Sequence, residues 1–168
     1  MEPSSVTEDK KPSSRHSPRL YDLTALQREA NVKFDLSAKD TLTAAQAFYE
    51  KHKALTYPRA DFNALPEDYV DKAGETVAAF NSTTSIYAGI YAVHAERILS
   101  FNWIKPDKKI FDNSKISDHF AIIPTGVMPN GLTGAEAQIY DLVVRRFLSV
   151  FHPAAQYLDT VRKTVVKH

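Results

Sequence analysis

The quartet Thr133-Gly134-Ala135-Glu136 constrains the fold of this chain more than any other feature, because of the apolar run directly behind it. A threonine with glutamate three positions on is the capping box: each side chain satisfies a backbone N–H that the first helical turn leaves unpaired. Beyond the box Ile139, Leu142, Val143, Phe147 and Val150 recur at helical spacing, and Pro153 closes the run. A helix with so broad an apolar stripe is stable only when other elements cover that stripe. The rest of the chain must therefore supply partner faces, and those partners also read as helices.

Leu23, Leu26, Ala30 and Phe34 share a helical face, so the spacing predicts a helix over Thr24 to about Lys33. Asp35-Leu36-Ser37 comes next, with Ser37 an N-cap and Asp40 in the first turn of a second helix, Ala38 to about Lys53. Its predicted inner face is Leu42, Ala45, Phe48 and Tyr49. Pro66 suits a first helical position, with Glu67 and Asp68 behind it, and that helix is expected to run to about Phe80. Residues 81–84 read as a loop, and a longer helix spans about Ser85 to Phe101 with Ile86, Ile90, Val93 and Ile98 apolar. Short strands are expected at Leu55 to Tyr57 and Ala121 to Ile123. The fold class is mainly α with a few short strands, around a helix-turn-helix or winged-helix-like unit. Such a unit serves DNA contact or plain packing, and spacing alone leaves both open.

This reading divides the chain into three stretches: 1–19, 20–132 and 133–168. The first combines Ser, Pro and charge with almost nothing apolar, so it is expected to be a disordered, basic tail. The last holds the capped helix and, from Thr160 to Lys167, a β-branched basic run that reads as the start of a strand without a partner.

Charge excludes little, since 21 basic residues nearly cancel 20 acidic ones and a DNA site would have to come from local clustering. The absence of cysteine excludes disulfides and thiolate metal sites, and makes a reducing cytoplasm the plain reading. No apolar run approaches the ~20 residues of a membrane helix, and the polar N-terminus lacks a signal-peptide core.

Chemistry concentrates in Ala54-Leu-Thr-Tyr-Pro-Arg-Ala-Asp61. On an extended chain alternate residues share a face, so Tyr57, Arg59 and Asp61 point the same way. A phenol attacking a phosphodiester needs a cation beside it, and the planar fork of arginine matches phosphate oxygens. The competing reading makes Tyr57 a strand aromatic and Arg59 a surface cation paired with Asp61. His119 is likewise either a histidine at the edge of the Ala121–Ile123 strand or a hydrogen-bond donor to a phosphate near Tyr57.

Residues 20–31 (LYDLTALQREAN), 37–61 (SAKDTLTAAQAFYEKHKALTYPRAD), 65–70 (LPEDYV) and 117–126 (SDHFAIIPTG) resemble, in one collinear order, the tyrosine-bearing region of type IA DNA topoisomerases. The bacterial topoisomerase III branch is the nearer match, and residues 134–157 resemble the next segment there. The resemblance implies that Tyr57 is the nucleophile that becomes linked to a 5′ phosphate of single-stranded DNA. It implies that Arg59 positions the scissile phosphate, that His119 is the active-site histidine, and that Lys39, Lys53 and Asp61 contact DNA. The family pattern continues as Thr-Asp-Ser-Arg where this chain has Ala60-Asp61-Phe62-Asn63.

Family enzymes also carry a Toprim module that holds Mg²⁺ on an Asp-x-Asp pair, and this sequence contains no such pair. The chain is thus expected to bind no metal itself and to act with a Toprim-containing polypeptide, on nucleoid or plasmid DNA. The expectation is an excised or truncated tyrosine domain. The alternative is a single-stranded DNA-binding winged-helix remnant without catalysis, and a purely structural α-domain is a third class.

Overall fold

Helix α1 (Leu23–Phe34) begins where Asp22 accepts a hydrogen bond from the Ala25 N–H at 2.7 Å. It ends where Asp35 turns left-handed at φ 57°. Two residues later Ser37 caps α2 (Ala38–Ala47) by accepting from the Asp40 N–H at 3.0 Å. The Gln27 amide donates to the Ala38 carbonyl and the Asn31 amide to that of Leu36, so side chains of α1 satisfy the turn between the helices. The helix-turn-helix expected from spacing is therefore present, built from local caps. The computed structural model describes residues 3–82 and 86–166.

Helix α2 does not run on regularly to Lys53. Phe48–His52 form a π-helical turn, and Lys53 closes it in the left-handed region at φ 56°. The extra residue in that turn rotates the predicted face. Thr41, Ala44, Ala45 and Phe48 are buried, Leu42 is only half-buried, and Tyr49 is swung out to 41% exposure.

A short 3₁₀ turn, Glu67–Tyr69, leads into α3 (Val70–Ser82), so Asn81 and Ser82 end a helix where a loop was expected. Residues 83–84, the rest of that expected loop, and 85, the expected start of the next helix, lie outside the described residues. Helix α4 (Ile86–Ser100) then packs Tyr91, Ala95 and Ile98 inward. This corrects the predicted face, since Ile90 and Val93 are each 56% exposed. The helix is apolar nearly all round, so the sequence offered no contrast by which to choose a side. Tyr91 meets Phe80 of α3 edge-on, ring centres 5.7 Å apart.

Helix α5 (Gly134–Ser149) has the expected capping box, with both Thr133–Glu136 bonds formed. It buries Ile139, Tyr140, Leu142, Val143, Val144, Phe147 and Leu148. Phe48 stacks on Tyr140 at 5.3 Å, which joins α5 to the π turn. Full burial of seven side chains, at about 1.5–3 kcal/mol each, makes this helix the largest single contributor to the core. It lies within one compact unit, residues 18–152.

The strands expected at Leu55–Tyr57 and Ala121–Ile123 are reduced to isolated bridges, Leu55 with Pro124 and Tyr21 with Ile122. Pro58 and Pro124 have no N–H to give, and the Thr56 hydroxyl occupies the next rung itself. Among the described residues of this unit no strand pair forms a wing.

The second unit comprises 1–17 and 153–168. Here β1 (Pro3–Arg15) pairs antiparallel with β2 (Ala155–Val166), Arg15 opposite Ala155 and Pro3 opposite Val166. The N-terminal stretch expected to be disordered is thus a strand, and it is the partner that the β-branched C-terminal run lacked. Both strands are exposed, so neither shows the apolar alternation that marks a half-buried strand. Their pairing links the far ends of the sequence, where no turn signal announces it. Arg15 covers the Tyr157 ring at 5.0 Å.

Candidate active site

Tyr57 sits directly after a clasp of two segments. The Thr56 N–H donates to the Ile123 carbonyl at 3.0 Å, and the Thr125 N–H to that of Ala54 at 3.0 Å. Between them the Thr56 hydroxyl donates to the Ala121 carbonyl and accepts the Ile123 N–H, each at 3.0 Å. The Thr125 hydroxyl donates to the Lys53 carbonyl at 2.6 Å. A β-hydroxyl, unlike a backbone N–H, can serve both roles at once, which is why threonine suits position 56. The clasp brings together residues more than sixty apart in sequence.

Beyond the clasp the chain bends at Pro58, and burial alternates. Tyr57 is half-buried, Pro58 buried, Arg59 exposed, Ala60 buried and Asp61 exposed. Tyr57, Arg59 and Asp61 are thus the more accessible positions of this stretch. The segment is pinned by backbone bonds: Leu23 N–H to the Ala60 carbonyl at 2.9 Å, and Ala121 N–H to that of Ala64 at 3.0 Å. Neither bond depends on the side chain at 60 or 62. The departures Ala60 and Phe62 therefore leave the route of this segment intact.

His119, exposed, stacks on the Tyr57 ring with centres 4.2 Å apart and planes at 26°. Tyr49 meets the same ring edge-on at 5.4 Å. The two contacts fix the plane of the phenol, and among the described residues none hydrogen-bonds its hydroxyl. Lys53 stands beside Tyr49, its ammonium 5.8 Å from that ring. Tyr49, Lys53, Leu55, Thr56, Phe120 and Thr125 line, with Tyr57, a cleft of about 330 Å³.

Of the residues singled out in the sequence, Tyr57 and His119 are in contact and Lys53 lines the same cleft. Arg59 and Asp61 are exposed and do not line that cleft, and among the described residues neither has an ion-pair partner. The proposed pairing of Arg59 with Asp61 is not formed, which leaves the guanidinium fork open to solvent. Lys39 lies exposed in the first turn of α2 and is not part of the cleft. Sequence reasoning missed Tyr49, Thr56, Phe120 and Thr125. Only the π turn, which has no periodic signal, turns Tyr49 toward Tyr57.

Chemically, the site offers a phenol held in a fixed plane, an imidazole against its face, and unpaired cations alongside. Among the described residues no three His, Asp or Glu side chains converge as a metal site would need. Mg²⁺ therefore does not fit the residues around Tyr57. No helix among the described residues is long and apolar enough to cross a membrane.

Comparison with known proteins bears on this site. A family model described as DNA topoisomerase matches residues 3–168. DNA topoisomerase 3 of Bacillus cereus is 46% identical over 160 residues, which is 94% of this chain and 21% of that protein. DNA topoisomerase 3 of Bacillus subtilis is 39% identical over 158 residues, 92% of this chain and 21% of its own length. The chain thus spans about a fifth of the curated relatives that it matches. Full-length topoisomerase I of Thermotoga maritima superposes with a TM-score of 0.55 over 95% of this chain and 27% of that one, at 18% identity, a likeness of fold alone.

Proposed function

Because the chain belongs to the type IA DNA topoisomerases, in the topoisomerase III branch, we propose that it carries the strand-cutting tyrosine of such an enzyme. Its substrate is single-stranded DNA. The Tyr57 oxygen attacks a backbone phosphorus, a P–O(Tyr) bond forms, and the P–O3′ bond breaks. The 3′ oxygen leaves with a proton and later returns along the same path, so the strand is rejoined. Arg59 holds the phosphate and stabilises the charge that builds on it. His119 keeps the phenol oriented and offers a ring N–H to a phosphate oxygen. Lys53 and Lys39 track the backbone on either side, and Asp61 borders the same strand.

The observation that carries this reading is the stack of His119 on Tyr57 beside an unpaired Arg59, held on a backbone clasp. The proton for the 3′ oxygen, and Mg²⁺ with the carboxylates that hold it, would come from a Toprim-containing polypeptide or segment. The two capped helices α1 and α2 carry Lys39 and lead into the segment of Tyr57, which supports DNA contact near the tyrosine. The site of action is then DNA in the cytoplasm.

The test mixes the chain with a separately made Toprim module and a labelled single strand, with Mg²⁺, and resolves products on a denaturing gel. The expected result is a label transferred to the protein, lost in Tyr57→Phe and weakened in Arg59→Ala. Binding without any adduct would instead identify a single-stranded DNA-binding remnant.

A further inference from the structure

Between α4 and α5 the unit of residues 18–152 holds a second depression, about 410 Å³, which shares no residue with the cleft at Tyr57. Cations gather around it. His94 and Arg97 stand on one stripe of α4, and Arg145 and His152 come from α5 and the turn after it. Tyr91 and Leu148 give it an apolar floor.

Among the described residues only one of these basic side chains has an anionic partner. Arg145 is held by the Asp141 carboxylate at 2.7 and 2.8 Å, and the Tyr91 hydroxyl donates to the same carboxylate at 2.8 Å. Among the described residues Arg97 and His94 have no anionic partner. The His152 ring lies against His94, centres 5.5 Å apart, and its Nε2 is buried without a hydrogen-bond partner. Burial, and then the nearby His94 and Arg97, hold His152 below the ordinary histidine pKa. An unpaired guanidinium, Arg97, and an unsatisfied ring nitrogen thus border one cavity. An anion placed there would answer both.

A second feature adjoins it. Trp103 packs on His152 at 4.9 Å and carries Phe101 stacked on it, centres 5.2 Å apart and planes at 17°. Phe101 is 66% exposed. An apolar ring left in water next to a cationic pocket is the pairing that single-stranded nucleic acid requires: charge for the phosphate, and a π-face for the neighbouring base. Inorganic phosphate would use only the first part.

We propose that the α4–α5 cleft and the Phe101–Trp103 shelf form a second binding site for single-stranded DNA, separate from the Tyr57 cleft. A backbone phosphate sits among His94, Arg97 and His152, and the adjoining base stacks on Phe101. The proposal rests on the reading of this chain as one that handles single strands, and it adds a place where the strand is held without being cut.

Trp103 is the only tryptophan in the sequence, so intrinsic fluorescence reports on this site. The 168-residue chain is titrated with an oligothymidylate, and separately with inorganic phosphate. The oligonucleotide is expected to quench Trp103 saturably, and phosphate at equal concentration to leave it unquenched. Phe101→Ala should weaken the oligonucleotide titration about fivefold or more, the loss of one stacked base. Arg97→Ala should reduce the slope of log affinity against log salt by about 0.7, the loss of one phosphate contact on a single strand. Both side chains are exposed, so both variants retain the fold, which circular dichroism checks.

A silent Trp103 overturns the proposal, as does quenching that both Phe101→Ala and Arg97→Ala leave intact. Equal quenching by inorganic phosphate shows an anion site only and overturns it too. An adduct at Tyr57 with Trp103 silent removes this site and leaves the catalytic reading standing. Saturable quenching without an adduct does the reverse.

Discussion

Thr56→Val removes one oxygen from the clasp that carries Tyr57 and should cost more than its size suggests. Valine matches threonine in shape, so no cavity forms and the rotamer is kept. What changes is pairing. The Ala121 carbonyl loses the hydroxyl that donates to it at 3.0 Å, and the Ile123 N–H loses its acceptor at 3.0 Å. Ala121 and Ile123 are both completely buried, so water cannot readily replace the missing partner. A buried polar group left unpaired costs about 1–3 kcal/mol, so two of them imply about 2–4 kcal/mol once partial relaxation is allowed. For a chain of this size that corresponds to a fall in melting temperature of roughly 4–16 °C.

The assay is urea unfolding monitored by circular dichroism, with Thr56→Ser beside Thr56→Val. Serine keeps the hydroxyl and should recover most of the loss. The slope against urea should be unchanged in both variants, since the same surface is exposed on unfolding. A Thr56→Val stability within about 0.5 kcal/mol of the parent, the range of an ordinary surface change, would refute the claim that the hydroxyl substitutes for a strand rung.

Arg146 should be a second sensitive point: it pairs with Glu29, donates to the Arg19 carbonyl at 2.9 Å and lies 4.1 Å over the Tyr21 ring. Arg146→Ala is expected to lower stability by about 3–5 kcal/mol, and Arg146→Lys to recover little, because an ammonium cannot fill all three contacts; the same urea titration checks both. Glu136 is held below the ordinary glutamate pKa chiefly by the Thr133 N–H, then by the Thr133 hydroxyl and His52. A carboxyl depressed in the folded state contributes stability above its unfolded pKa of about 4.3 and loses it as pH falls through the lower folded value. Glu136→Gln should therefore flatten the acid limb of a melting-temperature profile and leave its neutral limb nearly parallel to the parent. Finally, the purified chain with Mg²⁺ should leave supercoiled plasmid unrelaxed on an agarose gel. Loss of a general acid alone costs about 10²- to 10⁴-fold in rate.

Helix positions were legible because their signals are local. Ser37, Thr133 and Glu136 each act within a single turn, and the structure shows all three capping as the sequence implied. Faces were less so. In α4 the apolar residues surround the helix, and the side that packs is chosen by Phe80 of the neighbouring α3, not by anything within α4. Non-local pairing was least legible. Nothing in β1 marks it as a strand until β2 is placed beside it, since both are exposed and polar residues fill β1. The candidate site divides the same way. Alternation anticipated the exposure of Arg59 and Asp61 and the burial of Pro58 and Ala60, but no spacing rule could seat His119 on Tyr57 or turn Tyr49 toward it.

That division bears on how the site tolerates its departures from the family pattern. The segment after Tyr57 is held through the Ala60 and Ala64 carbonyls, and the segment before it through the backbone of Lys53, Ala54 and Thr56. Carbonyls are present whatever the side chain, so a change at the half-buried position 62 should leave the phenol in place, whereas a larger side chain at the buried Ala60 must displace its neighbours. Thr56 and Thr125 are different, because their hydroxyls are themselves part of the clasp. Geometry should therefore be most sensitive at these two threonines. DNA contact should be most sensitive at Arg59 and Lys53, whose loss leaves the clasp untouched. Melting and binding measured on one set of variants, Thr56→Val, Thr125→Val, Arg59→Ala and Lys53→Ala, should then fall into two groups: the threonine variants lose stability, and the basic variants lose affinity with melting unchanged. A basic variant that also unfolds early would show that Arg59 or Lys53 belongs to the scaffold.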